Sequence, residues 1–407
     1  MVYLVLGIMI AMTTFSVVTE VLNYRHRHQP ISENVQDLYD TTQYQTSLNY
    51  QMANFKLRMV KNGIQTLLLV LLLAFGFFGW LESTINGLVS GTIVQTIGFL
   101  FSFYFLTMII GLPFRYYRTF VIEEAYGFNK TTKKLFIIDL VKGLILGLIL
   151  GGGMVAGLNA IYLAFEDQIT LFLVFAYVAL VMVFIALFLL NGFLIRTFNK
   201  LSPLEEGELK ERINALADQL GFNIKRIYTM DASKRSTKLN AFFTGLGKTR
   251  EVVLFDTLIE KMSDDEIVAV LAHELGHATY KDAPRMLIQQ VFVMALYVGL
   301  IGFILNTPAF FTDFGLSGVH FGFMLILLVV LIEPIDTLIG VGTMYLSRKA
   351  EYRADAFAKK HTSQEAMQSA LKTLVKEDYV NLTPHPLHVK LYYSHPPVSE
   401  RLSALES

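Results

Sequence analysis

Seven long apolar stretches constrain what this 407-residue chain can fold into more than any other feature. They occupy residues 2–21, 64–81, 92–114, 135–163, 169–195, 286–305 and 321–346. A helix crosses a bilayer with roughly 20 apolar residues, so each stretch is a candidate span. Just over half the chain is apolar and the formal net charge is zero, which describes a membrane protein rather than a soluble enzyme. Stretch 2–21 has no basic segment before it and a long apolar run, so it reads as a retained helix rather than a cleaved signal.

The loops set the orientation, because basic residues are held on the cytoplasmic side. Arg25, Arg27, Lys56, Arg58 and Lys61 follow the first span, and Arg115, Arg118, Lys130, Lys133 and Lys134 follow the third. Loops 82–91, 164–168 and 306–320 carry no Lys or Arg, whereas 197–285 and 347–407 carry many. The expected topology puts the amino terminus outside or in a lumen and both polar blocks in the cytoplasm. The chain therefore divides into a five-helix membrane domain (1–196), a first catalytic part (197–285), spans six and seven (286–346) and a second catalytic part (347–407). The absence of cysteine excludes disulfides and thiolate metal sites. With no basic stripe and no net charge, no nucleic-acid partner is expected.

Within the polar blocks, Ser202-Pro203-Leu204-Glu205 reads as a capping box opening a helix that runs to Leu220 and stops at Gly221. Runs 224–230, 239–244 and 251–255 read as short strands of a small sheet or meander. Ser263-Asp264-Asp265-Glu266 is a second capping box, and the helix it opens carries His273-Glu274-Leu275-Gly276-His277. Histidines at i and i+4 share a helix face and can reach one metal, while Glu274 faces a water on that metal. Asp282 and Pro284 are expected to interrupt this helix just before the sixth span, which keeps the metal close to the membrane surface.

A hydrolytic zinc site uses three protein ligands and leaves a fourth position open. Glu351 and Asp355 lie i, i+4 in the segment Glu351-Tyr352-Arg353-Ala354-Asp355. Glu351 is assigned to the metal and Asp355 to an imidazole N–H behind it. The competing reading of this run, with Arg348 and Arg353, is a solvated helix face. Taken alone, His395 reads as a surface-loop histidine, though Arg401 stands near it in the sequence. Asn240, ahead of Ala241-Phe242-Phe243-Thr244-Gly245, reads as a turn-favouring residue beside a strand, and such a strand can accept an extended peptide as an added strand.

Together these segments resemble the type I CAAX prenyl protease family, multi-pass zinc endopeptidases that trim prenylated proteins at their carboxyl terminus. The resemblance spans nearly the whole chain. It includes Phe120 to Glu124 with Gly127 to Thr132, Ser233 to Ser236, the segment from Asn240, HELGH, the segment from Glu351, and Ser394-His395-Pro396-Pro397-Val398-Ser399-Glu400-Arg401. It implies a mainly α fold with seven helices around an intramembrane chamber and a small cytoplasmic α+β peptidase domain. It also implies one zinc ion on His273, His277 and Glu351, with Glu274 as catalytic base. By the same resemblance Asn240 positions substrate backbone, His395 stabilises the transition state, Asp355 orients a ligand and Arg401 supports the site. Glu123, Gly127 and Asn129 are assigned packing or loop-shaping roles.

Expected substrates are peptides or proteins at the bilayer, prenylated ones among them. The chain ends without an endoplasmic-reticulum retention signal, so a bacterial-type plasma membrane is expected, or the endoplasmic reticulum for a eukaryotic chain. Two alternatives stand beside this reading: a quality-control metalloprotease that degrades misfolded membrane proteins, and a non-enzymatic seven-helix transporter or receptor. The glycines Gly143, Gly147, Gly151, Gly152 and Gly153 are read as sites of close helix approach. Glu333 and Asp336, flanking Pro334, are read as structural or chamber-lining.

Overall fold

The computed structural model describes residues 1–244 and 251–407. Seven helices are long and apolar enough to span a membrane: Val2–His26, Thr41–Ala74, Thr92–Glu123, Lys133–Ala164, Ile169–Leu189, Asp282–Leu305 and Phe321–His361. Each touches the next in chain order, and the seventh closes on the first. The result is a ring. Only 6–28% of each apolar window is buried inside the protein. Helices packed around a filled core would bury far more, so the ring meets along narrow stripes and encloses a chamber.

One end of the ring is closed by aromatic packing. Phe78, Phe99, Phe310, Phe311 and Phe323 are fully buried there, with ring centroids of Phe78 and Phe323 4.9 Å apart. The chain's first nitrogen lies at this end, 2.6 Å from Asp313. The opposite end is covered by the polar blocks.

Several span boundaries differ from the sequence reading. Stretch 64–81 is not one helix, because the second helix stops at Ala74 and Gly76, at φ +70°, turns the chain into a separate helix, Phe77–Leu88. The fifth span likewise ends at Leu189, and Asn191–Phe198 is a new helix. The five glycines of the fourth span do not mediate close packing: a Cβ at Gly143, Gly147, Gly151, Gly152 or Gly153 would meet nothing within 4 Å. They face open space, and Gly147–Gly151 is a π-helical turn.

The polar blocks build a four-stranded sheet, β1 (Leu201–Pro203), β2 (Arg226–Met230), β3 (Ala241–Thr244) and β4 (Glu251–Phe255), in the order β1-β2-β4-β3. β2 and β4 run parallel, with Arg226 opposite Glu251, so the sheet is not a meander. Leu201 to Pro203 form an edge strand against Met230 to Tyr228. An edge position tolerates proline, which lacks the ladder donor. The predicted capping box at Ser202 is therefore wrong; the helix begins at Glu208, after Gly207, and ends at Gln219. Gly221 does end that turn, at φ +69°. Gly245, which follows β3 in the sequence, lies outside the described residues.

The helix Asp264–Thr279 is the most buried element of the peptidase part. Its capping box is formed: Ser263 N donates to Glu266 Oε2 at 2.8 Å, and Glu266 N donates to Ser263 Oγ. Residues Ile267, Ala269, Leu271 and Ala272 are almost completely buried, against β4 on one side and the C-terminal helices on the other. Burial on several faces fixes this helix in rotation as well as position. The helix ends where Lys281 takes a left-handed conformation at φ +56°, and Asp282 opens the sixth span.

Candidate metal centre

His273 and His277 project from this helix toward the polar continuation of the seventh span, which reaches His361 without a break. The two helices approach closely because residue 276 is glycine: a Cβ there would lie 3.2 Å from Ala354 Cα and 3.2 Å from Phe357 Cβ. This contact brings Glu351 over both histidines. His273 Nε2 and His277 Nε2 are 3.1 Å apart. Glu351 Oε1 is 3.2 Å from His277 Nε2, and Oε2 is 3.5 Å from His273 Nε2.

Tetrahedral zinc with nitrogen and oxygen ligands at about 2.1 Å sets its ligands about 3.4 Å apart. The observed spacings fit such an ion. Two imidazole nitrogens and one carboxylate oxygen also match the donor set of a hydrolytic site, with one position left for water. Glu351 is buried, and its two carboxylate oxygens are turned toward the two histidines rather than to solvent.

Around this cluster lies a ring of charged groups. Asp355 Oδ1 is 2.8 Å from His273 Nδ1, and Asp282 Oδ2 is 3.0 Å from His277 Nδ1. Each imidazole thus has a carboxylate behind the nitrogen that faces away from Glu351. Burial opposes charge on His273, but Asp355 and Glu351 outweigh it and push its pKa up to about 9. Burial raises the Glu274 pKa. Glu274 makes no hydrogen bond or ion pair with any described residue, which leaves its carboxylate available as a base.

Arg401 donates to Asp355 through Nε at 2.8 Å and Nη2 at 2.6 Å. His395 Nδ1 lies 2.7 Å from Glu351 Oε2, although its side chain is 63% exposed. It stands at the cluster's open side. Asn240 is exposed, and its Oδ1 accepts from Ala241 N at 2.9 Å; none of its hydrogen bonds reaches the cluster. β3, which it precedes, is the edge strand beside the His273 helix.

The sequence reading missed two supporting groups. Asp282, read only as a helix breaker, bridges His277 and Arg353, the latter at 2.6 Å. Arg348, considered only in the competing reading of a solvated face, donates to the carbonyls of Val389 and Tyr393, both at 2.8 Å. It ties the segment before His395 to the helix of Glu351. Asp282 had one signal: a carboxylate five residues past His277, just where the helix must turn. Glu123, Gly127 and Asn129 fall in a loop-shaping cluster, with Tyr50 donating to Glu123 at 2.9 Å and Asn129 bridged to Ser236.

A ring of membrane helices capped by a buried HExxH helix, with a carboxylate as third ligand, defines a class: integral-membrane metallopeptidases. Comparison with known proteins narrows it. Residues 203–407 match peptidase family M48, and residues 20–200 match the domain described as CAAX prenyl protease N-terminal, five membrane helices. The chain is 36% identical to CAAX prenyl protease 1 of Saccharomyces cerevisiae over 334 residues, covering 77% of this chain and 73% of that protein. It is 31% identical to the CAAX prenyl protease 1 homolog of Oryza sativa subsp. japonica, over 99% of this chain and 96% of that one. The crystal structure of S. mikatae Ste24p superposes with a TM-score of 0.94 at 30% identity, covering 99% of this chain and 98% of that chain. The chain belongs to peptidase family M48. It is a multi-pass membrane metalloendopeptidase.

Proposed function

We propose that this protein processes the carboxyl-terminal region of prenylated CAAX substrates, with zinc held by His273, His277 and Glu351. The observation that carries the reading is the meeting of three ligand atoms at tetrahedral spacing beside the unpartnered Glu274, at the mouth of a membrane chamber. When bound, zinc would polarise the scissile carbonyl and lower the pKa of water at its open position.

The chain's own residues do the rest. Glu274 takes a proton from the attacking water and passes it to the leaving amine, a task suited to a carboxyl whose pKa burial has raised. His395, exposed on the open side of the cluster, donates to the developing oxyanion. Asp355 and Asp282 hold the outer nitrogens of the two histidines, and Arg401 fixes Asp355. The free edge of β3 accepts the substrate as an added strand, with the Asn240 amide holding its backbone. The chamber receives the apolar prenyl chain, and the distribution of basic loops supports a cytoplasmic site.

The test pairs metal content with cleavage of a farnesylated CAAX peptide by purified protein and by Glu274→Ala. One zinc per chain in both, with cleavage by the unmutated protein alone, is the expected outcome. Zinc without cleavage of that peptide, but with digestion of unprenylated membrane proteins, would replace the substrate assignment; no zinc would overturn the ligand assignment.

A further inference from the structure

A polar cavity of about 330 Å³ lies between the polar ends of the first two spans and the segment 381–393. Its lining brings the guanidinium groups of Arg27, Arg58 and Arg118 against one carboxylate, Glu20, together with three asparagines. Glu20 is already paired to Arg58 at 3.0 Å. Arg118 makes no hydrogen bond to a described residue and only a loose contact with Glu123 at 3.6 Å. His388 lines the same cavity, is 8% exposed and has a buried Nδ1 without a hydrogen-bond partner. Surplus guanidinium donors around one half-open polar cavity are what an anionic oxygen ligand needs.

The cavity's place selects the ligand. Along the first helix, Thr13, Ser16, Glu20 and Asn23 share one face, and along the second so do Arg58, Asn62 and Gln65. The deeper members of these faces border a second space of mixed polarity with Glu333 of the seventh span, so the two spaces follow one another along the same helix faces. Its far wall includes Tyr393, whose carbonyl Arg348 fixes to the helix of Glu351, and Tyr393 is two residues before His395. Two residues of chain reach about 7 Å at most, and an extended peptide of two to four residues reaches about 7–14 Å.

We propose that this cavity seats the free carboxylate at the substrate's carboxyl terminus, so that cleavage is measured from the chain end. The proposal rests on the peptidase reading above. A planar, singly charged carboxylate suits the bidentate geometry of guanidinium, and the charge surplus is complementary to it.

The test compares a farnesylated peptide ending in a free carboxylate with the same peptide ending in a carboxamide. The acid should be cut with kcat/KM about tenfold above the amide, through KM, and Arg118→Gln should bring that ratio close to one while Arg118→Lys keeps part of it. In a Glu274→Gln background, fluorescence anisotropy should give the same ratio as binding, without turnover. Equal binding of acid and amide overturns the proposal, as does a ratio that survives Arg118→Gln. A dependence on Arg118 that appears only in vesicles containing phosphatidylglycerol also overturns it and assigns the cavity to a lipid phosphate. If neither peptide is cut but the binding ratio is present and lost in Arg118→Gln, the carboxylate seat stands and the peptidase reading falls.

Discussion

Arg401 grips Asp355 with two parallel hydrogen bonds, and through Asp355 it reaches the metal cluster from 46 residues away. Both side chains are almost fully buried, so each depends on the other for compensation of its charge.

Arg401→Lys is therefore not conservative. A lysine offers one point of charge where Asp355 needs a fork, and part of the carboxylate is left uncompensated in the interior. We expect a loss of about 3 kcal/mol in stability, within the range for breaking a buried ion pair. We also expect zinc affinity to fall 10- to 100-fold, as when a partner behind a ligand is removed. Melting in detergent, with zinc competition against a chelator, measures the two effects separately. Unchanged zinc affinity would show that Asp355 does not act on His273.

The glycine inside HELGH has a steric reason that can be tested alone. At Gly276 a methyl group would press on Ala354 Cα and Phe357 Cβ, each 3.2 Å away. Because Ala354 is three residues past Glu351 on the same helix, any retreat widens the gap between that carboxylate and the histidines. Gly276→Ala should cost about 1–3 kcal/mol, the usual range for overpacking, and should weaken zinc binding more than it weakens the fold. Equal zinc affinity in the variant and the unmutated protein would show that the helix spacing does not tune the site.

Much of this architecture is local in sequence and so could be read there. Seven spans follow from hydropathy alone, and the pairing of His273 with His277 from one helical turn. What escaped depends on contacts between distant segments. Ser202-Pro203-Leu204-Glu205 satisfies the pattern of a helix start, yet pairing with Tyr228 to Met230 makes it a strand. Likewise β2 and β4 are parallel because β3 is displaced to the sheet edge, an ordering that strand propensity does not encode. The bond from Arg401 to Asp355 leaves no spacing signature at all. The fourth-span glycines mislead in the opposite sense, since small residues permit close packing without requiring it.

At the far end of the ring a second glycine contact should govern stability without touching the chemistry. A Cβ on Gly79 would run into the carbonyl oxygen of Gly315. The obstacle is backbone in a turn where Gly315 itself sits at φ +84°, so it cannot rotate away as a side chain would. Gly79→Ala should lose about 3 kcal/mol, at the upper end for overpacking, and lower the melting temperature by several degrees. Zinc content per folded molecule should be unchanged, since the aromatic plug lies across the membrane from His273. A parallel loss of zinc would show that the plug and the peptidase domain are coupled.

Asp378 gives the protein a predictable response to pH. Burial is the main cause that raises its carboxyl pKa to about 6, with Lys238 pulling the other way, and its Oδ1 is buried without a hydrogen-bond partner. In the unfolded chain an aspartate titrates near 3.9. Between these values the folded state binds more protons than the unfolded one, so stability falls as pH rises from about 4 to about 6 and stays lower above that. A shift of about two pH units corresponds to about 3 kcal/mol at most, and solvent contact reduces this to about 1 kcal/mol. Asp378→Asn removes the charge and keeps the shape. It should therefore stabilise the protein by about 1 kcal/mol at pH 7.5 and by nothing at pH 4, with melting curves in detergent at both pH values as the measurement. A variant less stable than the unmutated protein at pH 7.5 would mean that the attraction of Lys238 for the carboxylate outweighs the cost of burying it.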